Sequence, residues 1–192
     1  MTATPAHEIP LAIRRKAVAV HEAGHALVAR YLKRPVAEVV LRAPHGLSGA
    51  TRFEGEDAVV LDLSVKADRQ YVQDAIVILL AGQIAEAEYW RTLAPLYVPA
   101  INSHRTDDFE IRKLQAQLGL SHDHNSMLMG YCTDLARQIA LHEKAQAAIA
   151  EIADHLAEAL AIGRAALDDI LLRHGVVQGQ LKLSANPWQR RI

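Results

Sequence analysis

His21-Glu22-Ala23-Gly24-His25 lies inside a proline-free run, 11–33, bounded by Pro10 and Pro35. Apolar residues recur along it at Ile13, Ala17, Val20, Leu27 and Tyr31, a spacing that predicts a helix with the five residues near its middle. Positions i and i+4 of a helix share a face, so both imidazoles can reach one metal ion. Zn²⁺ suits the pair, since it takes His nitrogens at about 2.0–2.1 Å. Glu22 is offset from the two His, where it can hold a water and take its proton rather than bind the metal. Shuffling a chain of this composition produces the pattern roughly 0.03 times, so it is informative without being proof. Gly24 adds weight. Glycine costs about 1 kcal/mol in a helix interior and needs a reason such as the close approach of another segment.

Outward from this helix, Val36–Arg42 alternates loosely and is rich in β-branched residues, which predicts a strand. Pro44-His45-Gly46 and Ser48-Gly49 punctuate a turn, and 50–53 reads as a short returning strand. Residues 59–65 alternate well enough to be a further strand or the lead into the next helix. That second helix, 67–90, carries Val72, Ile76, Leu79, Leu80 and Ile84 at helical spacing and is the natural partner of the first. A third helix starts within 103–106, buries Ile111, Leu114 and Leu118, and stops at Gly119. Residues 121–125, with His122 and His124, read as a polar loop. From 127 to 174 the chain is Ala- and Leu-rich at helical spacing, which predicts two helices with a break near Gly163.

Of the 192 residues 51% are apolar but only 5% aromatic, so the core must be built from Ala, Leu, Ile and Val. The expectation is a single, mainly α domain with a small β-hairpin beside the metal-binding helix. It comprises an N-terminal arm at 1–10, a helical core at 11–176 and a tail at 177–192. A net charge of −1 points to neither nucleic acid nor an anionic membrane surface. The lone Cys132 excludes an internal disulfide, fits a reducing compartment and reads as a small core residue. Residues 1–10 carry no secretory signal, and the most apolar run, 75–82, is far short of the roughly 20 residues a bilayer requires. A cytoplasmic protein is expected.

Catalytic zinc needs three protein ligands and an open position. A third His six residues beyond His25, with a Gly between, is ruled out because Val28 and Tyr31 hold those places. Glu86 and Glu88 near the end of the second helix, and Asp107 and Asp108 in the first turn of the third, remain open. Asp107 has Ile111 and Leu114 below it, which places it closer to the buried stripe than Asp108.

The segments Val20-His21-Glu22-Ala23-Gly24-His25-Ala26, Leu80-Ala81-Gly82-Gln83-Ile84-Ala85-Glu86 and Asp107-Asp108-Phe109 resemble, in order and spacing, the peptidase domain of the FtsH-type (M41) zinc proteases. The motifs cover 16–118, with a vaguer likeness over 156–181. The resemblance implies a mainly helical fold, His21, His25 and Asp108 as zinc ligands, and Glu22 as general base. Asp107 would then cap the helix, and Glu86 would support a ligand. The family's membrane segments and AAA ATPase module have no counterpart here, and Arg112 stands where the family usually has a small residue.

The expected function is a zinc metallo-endopeptidase acting without ATP on unstructured polypeptide, which would pair along the strand at 47–53 as an added strand. A separate ATPase or self-association is the expected help, if any is needed. The alternative is a non-catalytic interaction or regulatory module with a structural metal. Its mark would be a fourth protein ligand, from His45, His104 or the second Asp.

Overall fold

The computed structural model describes residues 4–42, 45–55, 61–94, 96–97, 105–178 and 180–184. Along these the chain is mainly helical with a small three-stranded antiparallel sheet, as the sequence predicts. A 3₁₀ turn, Ala6–Glu8, precedes α1 (Leu11–Tyr31), and Ile9 is buried, so the arm is partly anchored to the core. The end of α1 is set locally. Arg34 N–H donates to Ala29 O (2.8 Å) and Lys33 N–H to Arg30 O (3.1 Å), with Lys33 left-handed at φ 65°. This pairing closes the last carbonyls, and Pro35 prevents any continuation.

β1 (Val36–Arg42) and β2 (Ser48–Phe53) form the expected hairpin, but β2 starts earlier than the turn residues suggest. Ser48 and Gly49 pair with Arg42 and Leu41 inside the ladder. On its other side β1 pairs with β3 (Ala161–Gly163), which gives the order β2–β1–β3 and leaves β2 at an edge. Of 59–65, expected to be a strand or the lead into the next helix, residues 59–60 lie outside the described residues. The rest is a turn in which Asp62 Oδ1 accepts from Ser64 N–H and Oγ–H before α2 (Lys66–Leu93) begins.

α3 (Arg105–Leu118) ends at left-handed Gly119 (φ 59°). The polar stretch after it is not a loop. Ser121 caps α4 (His122–Ala140), its Oγ accepting from His124 N–H at 3.4 Å, so the polar residues are a helix start. The Ala-rich stretch breaks near Gly163, as expected, and once more before that. It holds three helices in all, α4, α5 (Glu143–Ala159) and α6 (Arg164–Arg173), with breaks at Leu141-His142 and at Leu160. His142 Nδ1 accepts from Lys144 N–H, and Leu160 is left-handed at φ 62°, turning the chain into β3. The second break falls at the expected place, with Gly163 as the N-cap of α6, whereas the first, at His142, has no Gly or Pro to mark it. The tail begins packed, with Leu181 buried; 185–192 lie outside the described residues.

α1 is the axis of the molecule. Residues 19–29 of α1 are buried on every side, packed chiefly against α2, α5 and the hairpin. Ala19, Ala23, Ala26 and Ala29 are fully enclosed, and their small side chains let the neighbouring helices come close. Cys132 is buried in α4 as a core residue. No helix among the described residues is long and apolar enough to cross a membrane.

Candidate metal centre

A helix buried all round is normally apolar, yet α1 carries His21, Glu22 and His25 at its centre, and Glu86 of α2 is buried beside them. Ionisable groups so placed are tolerated only when each polar atom has a partner. His21 Nδ1 lies 3.0 Å from Glu86 Oε2, whose other oxygen accepts from Trp90 Nε1–H at 3.0 Å. His25 Nδ1 donates to Ile78 O at 2.8 Å. Both Nδ1 atoms are therefore committed to acceptors, which fixes the rings and turns both Nε2 atoms toward one point.

The third group at that point is Asp107, from the first turn of α3. The two Nε2 atoms are 2.8 Å apart, and Asp107 Oδ2 is 3.0 Å from that of His21 and 3.5 Å from that of His25. Asp107 Oδ2 is buried, and neither contact has the angle of a hydrogen bond. An orphaned carboxylate oxygen facing two imidazole nitrogens fits a cation between them. Three ligands of a tetrahedral zinc ion stand about 3.3 Å apart, close to the separations seen.

Without a cation, a proton takes its place electrostatically. Burial opposes protonation of His21, but its contacts with Asp107 and Glu86 outweigh that and push its pKa up to about 10. Burial likewise opposes ionisation of Asp107, and the two imidazoles outweigh it, holding its carboxyl well below the usual range.

The two aspartates are reversed from the assignment that the resemblance implies. Asp107 reaches the imidazoles, whereas Asp108 faces outward and accepts from Gln83 Nε2–H at 3.1 Å. One residue along a helix is a rotation of about 100°, so only one of the two can face α1. The one in line with buried Ile111 is Asp107. Glu86 meets His21 at Nδ1, on the far side of the ring from the three converging atoms, and Glu88 pairs with Arg91. Among the described residues no fourth ligand joins the three. His45 is exposed, its carbonyl accepting from Arg15 Nε–H at 2.9 Å, and His104 lies outside the described residues.

Glu22 projects on the hairpin side, where Thr51 Oγ lies 3.0 Å from its Oε2. The cleft above the cluster measures about 490 Å³. It is lined by β2, by Ile78 and Leu79 of α2, and by Thr106 and Asp107 of α3.

Sequence reading missed the glycines that make room for these groups. A Cβ on Gly82 would meet the His25 ring at 2.4 Å, and one on Gly49 would meet Glu22 Cγ at 2.4 Å. A glycine inside a strand or a strongly apolar helix is itself a sign of close approach, and could have identified both.

No protein-family model matches this chain, and no curated protein matches it. The likeness to the FtsH-type peptidases therefore rests on the motif residues themselves.

Proposed function

We propose that this protein is a zinc metallo-endopeptidase, with His21, His25 and Asp107 holding the metal and Glu22 as general base. The observation that carries the proposal is the convergence of two Nε2 atoms and one orphaned carboxylate oxygen, with both Nδ1 atoms already committed elsewhere. Zinc bound there would supply a Lewis acid that polarises the scissile carbonyl and makes water acidic enough to attack near neutral pH.

The chain's own residues do the rest. β2 is an edge strand lining the cleft, so its unpaired backbone groups can hold an extended polypeptide as an added strand. Glu22 accepts the proton of the attacking water and returns it to the leaving amine nitrogen. Gly49 keeps the backbone of β2 low enough for the Glu22 side chain to lie against it. Glu86 and Ile78 O hold the imidazoles so that their Nε2 lone pairs stay on the metal side.

The test combines metal analysis with cleavage of an unfolded polypeptide in the absence of ATP. One zinc per chain and chelator-sensitive cleavage are expected. Glu22→Gln should keep the zinc and abolish cleavage; cleavage at the wild-type rate in that variant would remove Glu22 from the reaction.

A further inference from the structure

We infer that Thr51 is a positioning residue for Glu22: its hydroxyl fixes one carboxylate oxygen and leaves the other to move the proton. The inference rests on the reading of Glu22 as general base. Thr51 Oγ stands 3.0 Å from Glu22 Oε2 and 3.2 Å from Glu22 O, so its one O–H proton has both as acceptors, the carboxylate oxygen being the nearer. Glu22 Oε1 makes no hydrogen bond among the described residues, and it is the oxygen left for proton transfer.

The neighbouring geometry leaves Glu22 little choice. A Cβ on Gly49 would lie 2.4 Å from Glu22 Cγ, 2.7 Å from its Cδ and 2.6 Å from its Oε1, so the side chain runs flush along the β2 backbone. The strand blocks one direction and the hydroxyl fixes rotation about the last bond. A base held this way has no conformational search to make before each turnover, and small misplacement of a catalytic group is costly.

The placement also links two events. The hydroxyl that aims the base stands on the strand proposed to take the substrate. A polypeptide pairing along β2 therefore steadies the backbone that carries Thr51.

Thr51→Val keeps the branched shape and removes the hydroxyl, and Thr51→Ser restores the hydroxyl. T51V should bind one zinc per chain, keep KM for an unfolded polypeptide within about twofold, and lose about tenfold in kcat. T51S should regain most of that loss. Unchanged kcat in T51V, a defect confined to KM, or an equal loss in T51S would each overturn the inference. If T51V does not fold, Thr51→Ala replaces it in the same comparison. If the wild-type chain cleaves nothing, the peptidase reading fails by itself and the placement is read directly in crystals. A Glu22 carboxylate that stays put in T51V overturns the inference, and one that swings away supports it.

Discussion

The seam between α1 and α2 and the opposite wall of the cleft, made by β2 and the start of α3, hold the same site by different means. In the seam, backbone meets backbone: a Cβ on Gly24 would lie 2.8 Å from Ala81 O, and the imidazoles are fixed by Glu86 and Ile78 O. Across the cleft, side chains reach over space. Asp107 Oδ2 has no directed partner, and Glu22 is met by a single hydroxyl from an edge strand. The difference teaches where stability and chemistry are lodged. The seam should govern whether the protein folds, and the far wall whether it binds metal and turns over.

The strongest way to break that contrast is at the paired aspartates. Asp107→Asn should weaken zinc binding by more than about 100-fold, beyond the range expected for loss of a merely supporting partner. Asp108→Asn, at an exposed residue that accepts from Gln83, should leave affinity unchanged. Competition with a chelating dye measures both. Equal losses in the two variants, or a loss in D108N alone, would reassign the third ligand.

A smaller effect separates the two glycines. Alanine favours an isolated helix over glycine by about 1 kcal/mol, but Gly24→Ala would push a methyl into the α2 backbone, where overpacking costs about 1–3 kcal/mol. The three nearest atoms there are rigid, namely Ala81 O, Ala85 Cβ and Gly82 Cα, all within 3.1 Å, so destabilisation should win. Gly49→Ala would meet the Glu22 side chain, with Cγ at 2.4 Å, so Glu22 must shift; that should cost less stability than moving the α2 backbone, while reducing kcat. Thermal melts beside turnover assays decide it. A G49A variant as unstable as G24A would erase the distinction between the walls.

Much of this was legible in residue order. Helical spacing put His21 and His25 on one face, and the thermodynamic oddity of Gly24 correctly signalled a tight neighbour. The helix break at His142 was not legible, because a His cap leaves no compositional mark in an Ala-rich run, whereas Gly163 marked the break that follows left-handed Leu160. The choice between Asp107 and Asp108 shows which kind of reasoning transfers. Counting back from the buried stripe at Ile111 places Asp107 inward, whereas matching the family's motif placed Asp108 there. Helical phase is set by this chain's own core and so carries more weight than a motif letter. Thr51 escaped notice because its role depends on β2 lying over α1, a long-range fact that no local pattern encodes.

The smallest effect concerns pH, and it distinguishes the two states of the far wall. In the metal-free protein His21 has a pKa near 10, against 6.5 for an unperturbed imidazole, because Asp107 and Glu86 favour its charged form over the opposition of burial. A raised folded-state pKa stabilises the fold fully below the unfolded value. That contribution is lost as pH rises through the folded value. Metal-free protein should therefore lose stability between about pH 6.5 and pH 10, with Asp107 then facing a neutral His21. Zinc replaces that proton, so the loaded protein should melt at nearly constant temperature across the same window and should release protons as it forms. Melts at several pH values, with and without chelator, test the first part; calorimetry in buffers of different ionisation enthalpy tests the second. If the two forms lose stability in parallel, the charge facing Asp107 is not interchangeable between proton and metal. The orphaned oxygen would then belong to an ordinary buried ion pair.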